Sequence, residues 1–248
     1  MLARLWGIAR SLVIYHCISG RQRRMRRFYA QFLARGDLGF DLGAHVGGRT
    51  LAWRKTGVRV IAVEPQPDFV HVLRLFFGRD DGTVIVPAAV GTNRGTAQLQ
   101  IARATPTVST MSRTWEASVS ADRRFGRVRW NTSIEVAVVT LDDLISLYGV
   151  PAFVKIDVEG FEAEVLRGLS RPVAALSFEY VPAAHRAALD ALEVVEALGR
   201  YVYNYSPVET MRFAAGHWLR ADELVDLLDQ LRPLGRSGDV YARLVIGP

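Results

Sequence analysis

The chain has 248 residues, half of them apolar and a tenth aromatic, which suits one α/β domain with a full core and excludes a disordered chain. A single cysteine, Cys17, excludes an internal disulfide framework, and no Cys/His group has zinc spacing. The net charge of +6 is gathered at one end: residues 1–36 hold eight arginines and no acid, leaving 23 basic against 25 acidic residues elsewhere. A body so close to neutral argues against a nucleic-acid enzyme, whose basic surface should surround its active site.

In chain order, Leu2, Leu5, Trp6, Ala9, Leu12, Val13 and Cys17 recur at helical spacing before a run of arginines over residues 21–27. Residues 1–36 are therefore expected to form a basic amphipathic helical extension ahead of one domain over 37–248. Two roles fit it. The helix packs on the domain or caps its cleft, or residues 1–27 make peripheral contact with an anionic membrane. The uncharged run 11–20 is too short to span a bilayer. Arg10 interrupts the apolar region and no cleavage site follows, so a secretory signal is not expected and the protein is placed in the cytoplasm.

From Gly39 onward strands alternate with helices, which implies a Rossmann-like α/β fold with a mostly parallel sheet covered on both faces. Strands are expected at 39–42, 58–63, 83–87, 134–139, 153–157, 173–179, 200–205 and 240–246. Helices are expected at 48–56, 68–77, 140–148, 160–169, 183–198 and 220–231. Asp68 and Thr140 are candidate N-caps, with Asp143 completing a capping box. Gly57, Gly78, Gly149 and Gly199 fall where helices should stop. The turn Gly91-Thr92-Asn93-Arg94-Gly95 predicts an antiparallel excursion over 88–102. Residues 103–133 lack periodicity, and so long a segment in a compact domain is usually functional or mobile.

Two stretches concentrate the chemistry. In Phe40-Asp41-Leu42-Gly43-Ala44-His45-Val46-Gly47 an acid ends a strand and a glycine turn opens a helix, whose N-terminal N–H groups face a ligand. Glu64, 23 residues beyond Asp41, ends the next strand, where it can accept hydrogen bonds from both ribose hydroxyls. The turn lacks the G-x-G-x-x-G spacing of a dinucleotide site. The Asp41 carboxylate repels a pyrophosphate but suits the ammonium of an amino-acid tail, so S-adenosylmethionine is favoured over NAD. An NAD-dependent oxidoreductase remains the rival enzyme, and a cofactor-binding docking protein without turnover the rival outside enzymes.

The second stretch is Phe153-Val154-Lys155-Ile156-Asp157-Val158-Glu159-Gly160-Phe161-Glu162. Asp157 lies at the carboxyl end of a central strand, where open α/β sheets bind ligands. Lys155 shares its side of the strand, so an ion pair is the plain alternative. Glu162 and Glu164 are explained by the favourable dipole of a helix's first turn.

Together these stretches, with Val63-Glu64-Pro65, Val139-Thr140-Leu141-Asp142-Asp143-Leu144, Val165-Leu166-Arg167-Gly168 and Ser177-Phe178-Glu179-Tyr180, resemble the FkbM family of methyltransferases over roughly residues 37–182. The family usually carries Asn where this chain has His45. The resemblance implies a class I methyltransferase fold, S-adenosyl-L-methionine as donor, and O-methylation of a sugar, glycan or natural-product hydroxyl. The donor would then lie against Asp41, Gly43, Ala44, His45 and Gly47, with its ribose on Glu64 and its adenine beside Ala88. Asp157, His45 and Glu179 are the candidate bases. Asp157 and Glu179 also resemble the carboxylate pair of magnesium-dependent O-methyltransferases, so base and metal ligand stay open as roles.

Overall fold

The computed structural model describes residues 20–102, 105, 108–122 and 128–245. Helix α1 (Arg21–Tyr29) precedes β1 (Leu38–Leu42), α2 (Gly48–Arg54), β2 (Arg59–Val63), α3 (Pro67–Phe77) and β3 (Thr83–Val86). Strands β4 (Ala89–Val90) and β5 (Gly95–Ile101), helix α4 (Arg113–Ser120) and strand β6 (Thr132–Val139) follow. The rest is α5 (Leu141–Tyr148), β7 (Phe153–Ile156), α6 (Glu162–Arg167), β8 (Ala175–Tyr180), α7 (His185–Leu198), β9 (Tyr201–Pro207), α8 (Ala221–Leu231) and β10 (Gly238–Leu244).

Among the described residues, seven strands form the central sheet in the order β3-β2-β1-β7-β8-β10-β9. Strands β1, β2, β3, β7 and β8 are parallel, and β10 runs antiparallel between β8 and β9. The last expected strand therefore turns against the parallel set. Every residue of β1 and β7 is buried, as strands covered on both faces require. The chain leaves β1 toward β2 and later returns on its other side as β7. The order thus reverses between β1 and β7, where such sheets open a crevice at their carboxyl ends.

The expected strand 134–139 does not join this sheet. As β6 it pairs antiparallel with β5 and parallel with β4 in a separate three-stranded sheet. Its first residues alternate between exposed and half-buried, the pattern of a sheet covered on one face. The antiparallel excursion over 88–102 is present as β4 and β5. Within 103–133 the structure adds α4, whose N-cap Ser112 accepts a hydrogen bond from Trp115 N. Its only buried residues are Trp115 and Val119, too few to show a period.

Helix boundaries differ from expectation by one or two residues, and two of the expected caps change with them. Gln66 is the N-cap of α3 and Asp68 sits in its first turn, because Pro67 takes the first helical position. Helix α2 stops at Arg54, short of Gly57. The Thr140–Asp143 capping box is present.

Helix α1 belongs to the core. Met25, Phe28 and Tyr29 are buried, and Tyr29 meets Trp53 and Phe153 edge-on at ring separations of 5.2 and 5.6 Å. Burying side chains of this size contributes roughly 1.5–3 kcal/mol each. Arg23, Arg24 and Arg27 stay exposed on the outer face. Over 21–29 the apolar side is thus turned inward rather than offered to a membrane, while residues 1–19 of the expected extension lie outside the described residues. No helix among the described residues is long and apolar enough to cross a membrane.

Candidate active site

The β1–α2 turn is left-handed at Gly43, His45 and Gly47, with φ of 72°, 52° and 76°. Gly43 is required by the protein's own packing: a Cβ there would lie 2.0 Å from the Asp157 carbonyl oxygen. A Cβ on Gly47 would lie 2.5 Å from the Phe77 ring, on the side away from the cavity. Gly47 thus shapes the turn by helix packing and is not among the residues lining the cavity. Gly43 N and Ala44 N both donate to Val63 O, at 2.9 and 3.0 Å, which fastens the turn to the end of β2.

The two acids of this half are engaged with backbone. Asp41 Oδ2 accepts from Thr50 N at 3.1 Å and from Thr50 Oγ1 at 2.6 Å, holding the first turn of α2. Its Oδ1 is buried with no hydrogen-bond partner, and Lys155 Nζ is 3.8 Å away. Glu64 Oε2 accepts from His45 N at 2.9 Å and Oε1 from Gln66 N at 2.8 Å. Each Glu64 oxygen keeps a second lone pair for a ligand hydroxyl. Burial pushes the Glu64 carboxyl up to about 7, against the backbone donors that favour its charge.

Across the switch point, Lys155 Nζ pairs with Asp157 at 2.9 Å and donates to Gly43 O at 3.1 Å, so the expected ion pair is present. Burial pushes Asp157 up, but Lys155 and then Arg49 outweigh it and hold the carboxyl below its ordinary value. Glu159 follows with a left-handed φ of 55°, a conformation that costs on the order of 1–3 kcal/mol for a non-glycine residue. The carboxylate oxygens of Asp157, Glu159 and Glu179 lie within 4.8 Å of one another. Burial first and like charges second push Glu159 and Glu179 well above the ordinary carboxylate range. Glu179 Oε2 is buried without a hydrogen-bond partner. The alternative in which Glu179 serves an arginine finds no such ion pair among the described residues. Glu162 accepts from Val158 N and Gly160 N, both at 3.2 Å, which is the structural role expected for it.

His45 is pressed edge-on against Phe69 with ring centroids 4.1 Å apart. Burial lowers its imidazole to about 4, overcoming Asp157, which favours the charged form. An imidazole that weakly basic is poorly suited to take a proton at neutral pH.

Asp41, Gly43, Ala44, His45, Glu64, Ala88, Asp157 and Glu179 all line one cavity, which encloses about 260 Å³. It also takes in Glu159, Arg49, Glu209 and Asp239, which sequence reasoning did not single out. Glu159 was within reach of it, two residues beyond Asp157 in the same block. Asp239 had no local signal, since only the antiparallel register of β10 sets it beside Glu179. Segment 108–120 also reaches the site. Thr110 Oγ1 donates to Glu159 O at 2.6 Å, and Trp115 packs so tightly on Gly160 that a Cβ there would lie 2.1 Å from its ring. This part of 103–133 thus borders the cavity, with Ser109 and Met111 in its lining. Asp157, Glu159 and Glu179 are the residues able to hold a divalent cation, although Lys155 already offers Asp157 a counter-charge.

Comparison with known proteins adds to this geometry. A family model described as the methyltransferase FkbM domain matches residues 41–220. Over 147 residues the chain is 28% identical to the hexuronic acid methyltransferase AglP of Haloferax volcanii, a match covering 58% of this chain and 55% of that protein. The chain thus spans about half the length of this curated relative. Among solved structures it is similar to a TehB-like SAM-dependent methyltransferase from Corynebacterium glutamicum, with a TM-score of 0.50, 12% identity and 95% and 94% of the two chains covered. A precorrin-6y C5,15-methyltransferase from Geobacter metallireducens gives a TM-score of 0.48 at 13% identity, with 89% and 86% covered. At 12% identity the likeness to the Corynebacterium protein concerns the fold alone, which is Rossmann-like as expected.

Proposed function

The chain belongs to the FkbM methyltransferase domain family, and we propose that it transfers a methyl group from S-adenosyl-L-methionine to a hydroxyl of a sugar, glycan or natural-product small molecule. The observation that carries this reading is the meeting of Asp157, Glu159 and Glu179 within 4.8 Å beside the β1–α2 turn. The donor half and the proton-accepting half of an O-methyl transfer then share one cavity. The name of the Haloferax relative supports a sugar as acceptor in general, while the acids lining this chain's cavity bear on the charge of that sugar.

The residues present fit a donor that is a cation with a ribose. The unpartnered Asp41 Oδ1 and the spare lone pairs of Glu64 supply buried negative charge and acceptors. The same acids oppose a pyrophosphate, which counts against NAD. When bound, the sulfonium supplies an activated methyl group. The protein's task is to align the acceptor oxygen and remove its proton. Glu179, whose Oε2 is buried without a hydrogen-bond partner and meets Asp157 and Glu159 within 4.8 Å, is the favoured base. Asp157, kept anionic by Lys155, orients the hydroxyl. His45 is the weakest of the three expected bases. The same triad supports magnesium as a second reading, in which the ion and its waters replace direct proton transfer.

Thermal-shift titration with S-adenosylmethionine and with NAD tests the donor, since a ligand stabilises only what it binds. Stabilisation by NAD alone would sink the reading.

A further inference from the structure

Charge is distributed unevenly along the cavity. Beyond the donor residues, its walls come from the ends of β7, β8 and β10 and from the connection after β9, and they contribute Asp157, Glu159, Glu179, Glu209 and Asp239. Among the described residues the cations that reach the cavity are Arg49 and Lys155.

Both cations are already engaged. Lys155 Nζ is 2.9 Å from Asp157 and 3.1 Å from Gly43 O. Arg49 Nε donates to Tyr29 Oη at 3.1 Å and Nη2 to Asp239 at 3.3 Å, while Nη1 faces Glu209 at 3.7 Å. Glu209 is paired with Arg21 as well. Asp157, Glu159, Glu179, Glu209 and Asp239 thus stand against three cations, Arg21, Arg49 and Lys155, each already engaged. A further anion entering here would meet like charge in a poorly solvated space, while hydroxyl and ammonium groups would find acceptors.

We propose that this end of the cavity selects a polyol acceptor bearing no anionic group on the methylated ring, aminated rings before neutral ones, and rejects uronates and sugar phosphates. The inference rests on the methyl-transfer reading but adds the charge class of the acceptor. It predicts that a ring carboxylate lowers kcat/KM at least tenfold against the matching neutral ring. Added salt narrows that difference by screening.

The test uses matched methyl glycosides of a hexosamine, a hexose and a hexuronic acid in gluco and galacto series. Each is measured for methyl transfer from labelled donor and for calorimetric binding to the full chain saturated with S-adenosylhomocysteine. Stabilisation by S-adenosylhomocysteine, measured first, reports on the donor site alone, and its absence would sink the methyl-transfer reading itself. With donor-product binding intact, the expected order is hexosamine, hexose, hexuronate. Glu209→Gln should narrow the hexose-to-hexuronate gap about threefold and leave S-adenosylhomocysteine binding unchanged. A hexuronate that binds or reacts as well as its hexose, with or without added magnesium, overturns the proposal. So does failure of every glycoside to bind the saturated protein.

Discussion

Glu64→Ala is the sharpest perturbation of the donor half. The carboxylate is 3% exposed, and its oxygens accept from Gln66 N at 2.8 Å and His45 N at 2.9 Å. Those bonds fix it in place, with lone pairs left for two ribose hydroxyls. Each hydrogen bond to a charged group contributes about 1.5–3 kcal/mol. Losing two therefore removes about 3–6 kcal/mol of donor affinity, and at about 1.4 kcal/mol per tenfold the Kd rises by about 10²–10⁴. The pH dependence gives an independent check. Glu64 is raised from 4.5 to about 7 in the folded protein. The folded state thus binds more protons in that window, and the group's stabilisation, complete below 4.5, is lost as pH rises through about 7. A cationic donor prefers the ionised carboxylate, so binding must release this proton below about 7, and affinity falls about tenfold per pH unit there. Glu64→Gln removes that slope. Calorimetry with S-adenosylmethionine on the wild type and on both variants, each first shown to be folded by circular dichroism, measures all three effects. Unchanged affinity in Glu64→Ala, or a flat wild-type profile between about pH 5.5 and about pH 7, would refute the assignment.

Glu179→Gln should lower kcat by about 10²–10⁴ with little change in donor affinity, and Asp157→Asn should lower it too. Inhibition of the wild type by a chelator, reversed by magnesium, would move the triad from base to metal ligand. His45→Asn keeps a residue that tolerates positive φ, so turnover should stay within about threefold. A hundredfold loss would restore His45 as a base. Gly43→Val should fail by misfolding rather than by donor exclusion, because its Cβ points at the Asp157 carbonyl, and a normal melting temperature would contradict the packing. Deleting residues 1–27 removes Met25 from the core and should destabilise by about 2–5 kcal/mol in urea unfolding. Vesicle co-sedimentation of the intact chain at low and high salt tests the membrane role. Absence of binding at low salt would leave α1 as a packing element alone.

The central sheet was legible because its buried strands are short apolar runs bounded by glycines, prolines and acids. Asp41, Glu64 and Asp157 were legible because strand ends at the switch point carry ligand chemistry in such sheets. Strand β6 was placed in the wrong sheet, since local pattern tells a strand from a helix but not which strand it joins. Gly43 and Gly47 were found from the turn pattern, and the structure adds a packing reason for each in Asp157 and Phe77, residues far along the chain. The roles of Glu159, Arg49 and Asp239 depend on register and on a left-handed residue, neither of which leaves a local trace. The apolar face of α1 was visible, but its destination was not.

The most direct test of the central claim is transfer of an isotopically labelled methyl group from S-adenosyl-L-methionine to a hydroxylated glycoside, with mass spectrometry of the product from wild type and from Glu179→Gln. The expected result is a methyl ether formed in step with S-adenosylhomocysteine by the wild type, and at least a hundredfold less by Glu179→Gln. Equal rates in the two proteins would contradict the mechanism. A methyl group found on nitrogen or carbon, with none on oxygen, would contradict the claim itself.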